Sequence, residues 1–271
     1  MEDQTADFGP RGYGAVMSAL VPAEESGAFA VELPDGWLQG RTTYGGMSAA
    51  LCVEAARLAL PGLPPLRSAQ FAFAGPASGR LVARARLVRQ GKSAATATAE
   101  LDGDAGPAVR ALLTYGAARD SAVAHRDLAA PDLPGPEDCG PFMGDGPRPR
   151  FAENFDMRLA AGSRLMSGGA PTYTLWVRHL AAEGADPLAA LVALADAPPP
   201  PGLVLFTGPA PISTMTWSAD LLAEPGDPGG WHLLRSDCRH AAGGYSEQAM
   251  TLWDAEGRPL MVSRQRVAIF A

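Results

Sequence analysis

Residues 66–115 read LRSAQFAFAGPASGRLVARARLVRQGKSAATATAELDGDAGPAVRALLTY, and their pattern decides the fold. Apolar and polar side chains alternate along this stretch, which is typical of strands in a sheet that is covered on one face. Short turn sequences rich in Gly, Pro and Asp divide it into four predicted strands, at 66–74, 81–89, 93–101 and the residues up to 115. The stretch therefore predicts an antiparallel sheet.

The same order recurs between residues 211 and 270, where strands are predicted at 213–221, 231–239, 245–253 and 259–270. Each copy also follows an Ala- and Leu-rich stretch with the composition of a helix. Two copies of one unit in a single chain predict a fused pseudo-dimer. Residues that carry the function are expected where the two copies meet.

A long helix is predicted ahead of the first sheet, over residues 44–60. The chain enters it through Tyr44-Gly45-Gly46, with Thr42 or Thr43 as its cap, and Pro61 ends it. Its many small residues allow it to lie close to a sheet. Because the first sheet needs cover on one face, this helix is the simplest element to provide it.

The second copy has a shorter predicted helix at 186–197, which starts at Asp186-Pro187 and is stopped by a run of prolines. Between the copies the sequence becomes rich in Asp, Pro and Gly, which is typical of a linker. The chain is therefore predicted to consist of an N-terminal unit at 1–118, a linker at 119–150 and a C-terminal unit at 151–271.

Composition excludes several classes of protein. Hydrophobic residues make up 47%, yet no apolar run reaches the roughly 20 residues of a membrane span. The start, MEDQTADFG, lacks a secretory signal, so a cytoplasmic location is predicted. Cys52, Cys139 and Cys238 suggest neither a disulfide framework nor a zinc site, and no cofactor is predicted. The formal net charge of -7 argues against a nucleic-acid partner.

Four ordered segments, together with the repeat, carry a resemblance to a known family: residues 40–46, 89–93, 194–197 and 254–265. The chain resembles the acyl-CoA thioesterase superfamily with two fused hotdog domains. The resemblance implies an α+β fold in which two antiparallel sheets each wrap around a long helix and join into one continuous sheet. It also implies hydrolysis of a fatty-acyl thioester to free acid and coenzyme A. Further assembly into homodimers or larger oligomers is common in the family.

The resemblance also implies a type of active site. Members of the family use a carboxylate with a Gln or Thr to orient water, and they hold the thioester carbonyl against a helix N-terminus. Unpaired amides at Gly45 and Gly46 suit the second task, since glycine leaves the approach open. Tyr44 belongs to the same helix entry and is predicted to contact the substrate.

Candidate catalytic residues follow from the family pattern. Gln265 on the last strand matches the Gln of members that resemble the bacterial medium- and long-chain enzyme. Their Asp falls here at Thr214 and their Thr near Arg239, which departs from their triad. Asp196 instead occupies the helix position where single-hotdog thioesterases of the phenylacetate-pathway type carry a carboxylate. Glu54 lies one residue beyond the equivalent position in the first helix, about 100° around its axis.

Arg89 and Lys92 lie at a turn between strands and are predicted to attract the phosphates of coenzyme A, and Ser93 beside them is predicted to contact the substrate. Two alternatives to an acyl-CoA thioesterase stay open. The missing carboxylate at Thr214 suits a non-catalytic protein that binds an acyl thioester or another small ligand. Whether the acyl group is carried by coenzyme A or by an acyl-carrier protein is a separate question that the sequence leaves open. A hotdog dehydratase would carry an Asp/His pair in a loop, and the sequence shows none.

Overall fold

The structure is a computed structural model, and it describes residues 11–144, 146, 148–208 and 210–270. Residues 1–9, on which the prediction of no secretory signal rests, lie outside these ranges. Within them the helices are α1 (Tyr13–Ser18), α2 (Gly45–Ala59) and α3 (Pro187–Ala195). None of these helices has the length and apolar character that a membrane span requires.

The strands agree closely with the predicted ones. In chain order they are β1 (Val21–Pro22), β2 (Ala28–Glu32), β3 (Leu38–Gln39), β4 (Thr42–Thr43), β5 (Leu66–Phe73), β6 (Arg80–Gln90), β7 (Ala94–Gly103), β8 (Gly106–Gly116), β9 (Phe155–Gly162), β10 (Thr172–His179), β11 (Ile212–Leu221), β12 (His232–Ala242), β13 (Tyr245–Asp254) and β14 (Pro259–Ile269).

Most of these strands form one 12-stranded antiparallel sheet, in the order β1-β2-β6-β7-β8-β5-β11-β14-β13-β12-β10-β9. The order of the second half mirrors that of the first, and the halves join where β5 pairs with β11. Phe71 lies opposite Trp217 in this central pair. The prediction of an α+β double hotdog with one continuous sheet is confirmed.

The two long helices lie side by side inside this sheet. Residues 46–56 of α2 are all buried, and α3 is buried from Ala189 to Ala195. On β6, Leu81, Ala83 and Ala85 face the core, as the alternation predicts. Apolar burial on this scale stabilises the fold by about 25 cal/mol for each Å² removed from water. The core therefore fixes the two helices relative to each other.

The predicted cap of α2 is wrong. Thr42 and Thr43 form β4, which pairs with β3, and the Thr42 hydroxyl accepts the Ala77 amide at 2.9 Å. The N-cap is Tyr44, whose side chain makes no capping hydrogen bond. The first amides of α2 are therefore not capped by the residues that directly precede the helix.

The segment predicted as a linker is packed against the C-terminal half. Trp176 donates its indole hydrogen to the Pro134 carbonyl at 2.8 Å, and Trp253 donates to the Leu128 carbonyl at 2.7 Å. Both tryptophans belong to an apolar cluster that is separate from the main core. Since neighbouring residues of a strand face opposite sides, this cluster lies on the outer face of the sheet. The two predicted boundaries, after residues 118 and 150, stay a prediction.

Candidate active site

The N-terminus of α2 meets the C-terminus of α3, because the two helices run antiparallel. Tyr44, the N-cap of α2, donates its phenol hydrogen to the Ala193 carbonyl in the last turn of α3. A Cβ atom on Gly46 would lie 2.6 Å from that same carbonyl oxygen. Glycine is therefore required for the close approach of the two helices.

Asp196 follows directly after α3 and lies over the start of α2. Gln265 Nε2 donates to Asp196 Oδ1 at 2.5 Å, and the Gly46 amide donates to the same carboxyl group. A Cβ atom on Gly45 would lie 2.7 Å from Asp196 Oδ2. The carboxylate thus occupies space that any larger residue at Gly45 would take.

The environment of Asp196 tunes its ionisation. Burial raises the pKa of Asp196 to about 6, while hydrogen bonds from Gln265 and the Gly46 amide oppose this rise. The residue is partly exposed at its surface because a cavity opens beside it. The positive end of the α2 dipole also favours the ionised form. A carboxylate with a pKa near the working pH is suited to general base catalysis.

Two amides at the start of α2, those of Gly45 and Met47, have no acceptor within the described chain. Ser48 N donates to the Tyr44 carbonyl at 3.2 Å and closes the first turn. Gly46 N donates to Asp196, whereas no described backbone carbonyl accepts from Gly45 N or Met47 N. Such amides stabilise negative charge that develops nearby. Neither glycine borders the cavity directly, but Asp196, which contacts both, does.

A cavity of about 440 Å³ adjoins this helix junction. Asp196, Gln265 and Thr214 contribute polar side chains to its wall. Its described lining contains no Lys, Arg or His. The rest of the wall is mostly apolar and includes Met143, Phe151, Leu165, Met166, Leu203, Ile212 and the prolines at 149, 198, 199, 200 and 211. The cavity suits an apolar group that ends in a polar reacting centre.

The structure brings together three of the four predicted catalytic residues. Asp196 and Gln265 are hydrogen-bonded, and Thr214 borders the same cavity. Gln265 is buried between two exposed arginines, as the strand alternation predicts. Tyr44 is buried beneath the junction and stacks on Phe151 with 4.3 Å between ring centroids. Its phenol links the helices and does not border the cavity.

Glu54 lies at the other end of α2 and is not part of this group. It forms a bidentate ion pair with Arg57, at 2.8 and 2.6 Å. Arg57 Nε also lies 3.7 Å from Asp186 Oδ2. Asp186 in turn caps α3 by accepting the amides of Leu188 and Ala189 at 3.1 and 3.0 Å. At this end, which corresponds to the candidate site by the pseudo-symmetry, Glu54 is held in an ion pair and the first amides of α3 are capped.

Arg89, Lys92 and Ser93 lie at the β6–β7 turn, two strands away from the central pair. The side chains of Arg89 and Lys92 are exposed, and none of the three residues borders the cavity. Arg239, at the position of the family Thr, donates to Glu247 on the neighbouring strand. A role in contacting phosphates therefore stays a prediction for the turn residues.

Sequence reasoning missed Gln248. It lies on β13 directly opposite Gln265, and its side chain is 2% exposed. Its Nε2 donates to Gln265 Oε1 at 2.8 Å. The available signal was a glutamine at an inward position of a strand whose other inward residues are small or apolar. The sequence predicts that the prolines after α3 stop the helix, and in the structure Pro198, Pro199 and Pro200 also line the cavity.

Two family models match the chain. The acyl-CoA thioesterase N-terminal domain matches residues 33–116, and the acyl-CoA thioesterase C-terminal domain matches residues 131–269. Among curated proteins, none matches this sequence.

Solved structures share the fold over nearly the whole chain. A hot dog fold protein of unknown function from Alicyclobacillus acidocaldarius is 26% identical, with a TM-score of 0.81 and coverage of 94% of this chain and 97% of that one. A tesB protein of Mycobacterium avium subs. paratuberculosis is 14% identical, with a TM-score of 0.78 and coverage of 96% and 100%. The acyl-CoA thioesterase II TesB2 of Mycobacterium marinum is 16% identical, with a TM-score of 0.73 and coverage of 94% and 97%. Since the two family models together match most of the sequence, the chain belongs to the acyl-CoA thioesterase family.

Proposed function

We propose that this protein hydrolyses acyl-CoA thioesters to a free acid and coenzyme A, at the junction of α2 and α3. One observation carries the proposal: a buried Gln265 holds Asp196 against the start of α2, where the Gly45 and Met47 amides lack an acceptor in the described chain, at the wall of an apolar cavity. A base, its orienting amide and donors for an oxyanion are thus within one cluster.

In the proposed mechanism, Asp196 removes a proton from a water molecule while the water oxygen attacks the thioester carbonyl carbon. Negative charge develops on the carbonyl oxygen, and the amides at the start of α2, Gly45 above all, stabilise it. The carbon–sulfur bond then breaks. The proton held by Asp196 passes to the leaving sulfur, which gives the thiol of coenzyme A and the free acid. Gln265 keeps the carboxylate in place, and the Thr214 hydroxyl provides a further polar contact.

The cavity wall suggests the class of acyl group. Its described lining offers apolar side chains and prolines but no cation, and Asp196 adds a negative charge when ionised. An acyl group that carries a carboxylate of its own would lose the hydration of that charge on entering the cavity and would gain no cationic partner there. We therefore expect an uncharged aliphatic or aromatic acyl group, which is consistent with a role in fatty acid metabolism.

A panel of acyl-CoAs tests this function. Purified protein is expected to release free thiol from uncharged acyl-CoAs, measured with a thiol reagent. Acyl-CoAs of similar length that carry a terminal carboxylate should react at least about 10-fold more slowly, because one uncompensated charge costs well over 1.4 kcal/mol. Absence of thiol release from every acyl-CoA, from short to long chains, would reject hydrolysis. The same acyl groups on an acyl-carrier protein identify the carrier.

The non-catalytic alternative predicts a different result. A protein that only binds acyl thioesters would give tight binding in calorimetry without release of thiol. The structure offers less support for it than the sequence does, because Asp196 provides a carboxylate in the cavity that Thr214 does not.

The pH dependence of kcat/KM is the second test. Since the ionised form of Asp196 is the base, kcat/KM is expected to rise through a pKa of about 6 and to level off above it. The other titratable groups that interact with Asp196 are Tyr44 and Tyr173, and burial raises the pKa of both phenols well above the ordinary value. They stay neutral near pH 7. A profile that falls between pH 5 and 8 would contradict the role of Asp196.

The proposal extends to location and assembly. The free thiols of Cys52, Cys139 and Cys238 are compatible with a reducing compartment, which supports a cytoplasmic location. The substrate is a small acyl thioester, and neither nucleic acid nor membrane is proposed as a partner. Assembly of double-hotdog protomers into homodimers or larger oligomers follows from the family and is tested by light scattering.

A further inference from the structure

Gln265 can hold Asp196 in only one of its two amide orientations. In the structure its NH₂ group donates to Asp196 Oδ1 at 2.5 Å, while its oxygen accepts from Gln248 Nε2 at 2.8 Å. The reverse orientation would place the Gln265 oxygen against the Asp196 carboxylate. It would also place two NH₂ groups face to face at Gln248. Both of these contacts are repulsive, and the second depends entirely on Gln248.

Gln248 is held firmly enough to select the orientation. It lies on β13 opposite Gln265 on β14, and both side chains are almost completely buried, at 2% and 3% exposure. Its NH₂ group also lies 3.6 Å from the sulfur of Met250 on the same strand. A buried amide between paired strands has few rotamers, so its donor points steadily at Gln265.

Gln248 is an unfavourable choice for stability alone. Within the described residues its Oε1 atom is buried and has no hydrogen-bond partner. An unpaired buried acceptor costs about 1–3 kcal/mol. An apolar residue of similar length would avoid this cost and fill the same space. The presence of a half-satisfied glutamine here therefore calls for a reason beyond packing.

We infer that Gln248 is a positioning residue, which fixes the amide of Gln265 so that Gln265 always donates to Asp196. This inference rests on the proposed function, because it describes how the proposed base is held. Gln248 borders no part of the cavity in the described chain and would not touch the substrate. Its effect passes through Gln265 alone, and this sets it apart from a residue with a general structural role.

The test uses Gln248→Met, which keeps the length of the side chain but cannot donate. We expect kcat to fall about fivefold to tenfold, the value of one hydrogen bond, with KM changed less than about twofold. Because the bond from Gln265 lowers the pKa of Asp196, its loss should also move the rise of kcat/KM to higher pH. In a Gln265→Ala background the same substitution should have no further effect on kcat.

Two controls separate positioning from folding. Ser246→Ala removes a buried hydroxyl from the same face of β13 and should leave kcat and the pH profile unchanged. Gln248→Leu removes the donor together with the unpaired buried Oε1 and should lower kcat about as much as Gln248→Met. Circular dichroism and thermal unfolding establish that each variant is folded.

The outcomes distinguish this inference from the proposed function. If wild-type protein releases no thiol from any acyl-CoA, the proposed function fails and the inference falls with it. If wild type is active and folded Gln248→Met or Gln248→Leu matches it in kcat and pH profile, the inference alone is overturned. An equal loss in the wild-type and Gln265→Ala backgrounds would also overturn it, since the effect would not pass through Gln265.

Discussion

Replacement of Asp196 by asparagine is expected to lower kcat for acyl-CoA hydrolysis by about 10³-fold, the contribution of a well-placed general base. Asparagine keeps the shape of the side chain and can still meet Gln265, but it cannot take a proton from water. KM should change little, because the apolar wall that binds the acyl group is intact. Steady-state kinetics with the best acyl-CoA of the panel measures both constants.

The same Asp196→Asn substitution should raise the free energy of unfolding at neutral pH, although it lowers kcat. The folded-state pKa of Asp196, about 6, is raised above the ordinary value of 3.8. The folded state therefore favours the protonated carboxyl, and this contribution is fully present below pH 4 and lost as the pH rises through 6. Asp196→Asn avoids that loss and should be more stable than wild type at pH 7.5, by roughly 1–2 kcal/mol after allowance for partial exposure. Urea unfolding at pH 5 and 7.5 should show the difference shrinking at the lower pH.

Two results would contradict the assignment of Asp196. One is an Asp196→Asn protein that keeps most of its kcat, which would move the base elsewhere. The other is an inactive variant that no longer binds acyl-CoA in calorimetry, since the loss would then reflect binding and not chemistry. A variant that binds normally but does not turn over also excludes a purely ligand-binding role for the wild type.

Replacement of Gly45 by alanine is expected to lower kcat by about 100-fold, because a displacement of a catalytic group by about 1 Å has this effect. The new Cβ atom would lie 2.7 Å from Asp196 Oδ2 and 3.4 Å from Phe73 Cε1. The carboxylate is the end of a side chain, so it yields and leaves its position. The free energy of unfolding should change little, since alanine favours a helix more than glycine does.

Gly46→Ala is the matched control. Its Cβ atom would meet the backbone oxygen of Ala193 at 2.6 Å, together with the ring of Tyr44. Neither can move without separating the helices, so we expect a loss of about 1–3 kcal/mol in unfolding free energy. Adjacent glycines should thus differ: one substitution acts on kcat and the other on stability. Equal effects of both variants on both measurements would contradict the geometry at the junction.

The sheet could be predicted from sequence because its signal is local. The alternation in β6 and β14 fixes which side chains face the core, and Gln265 is indeed inward. Asp196 matches a helix position at which the family resemblance implies a carboxylate, and its contact with Gln265 joins two residues of the C-terminal half that lie far apart in sequence. What the duplication explains is the contact of Asp196 with the Gly46 amide, since a pseudo-dimer places the start of one helix beside the end of the other.

The remaining features depend on contacts between side chains that only the folded chain brings together. Thr42 has the residue type of a cap, but its hydroxyl is taken by the Ala77 amide, which only the folded chain brings near. Glu54 has the charge of a base, yet Arg57 neutralises it. Gln248 has no motif at all. It acquires a role because strand register sets it opposite Gln265.

The two ends of the helix pair have become unlike, and covalent fusion explains how this is possible. In a homodimer of identical subunits, a mutation that blocks one helix N-terminus also blocks the symmetry-related one. Both equivalent sites would then be lost together. Here the Asp186 side chain caps the start of α3, while the N-cap side chain of α2 makes no capping hydrogen bond and Gly45 and Gly46 leave room for Asp196. Both halves contribute to the candidate site, Gly45 and Gly46 from the first and Asp196 and Gln265 from the second, so duplication allowed the two halves to supply different parts of one cluster.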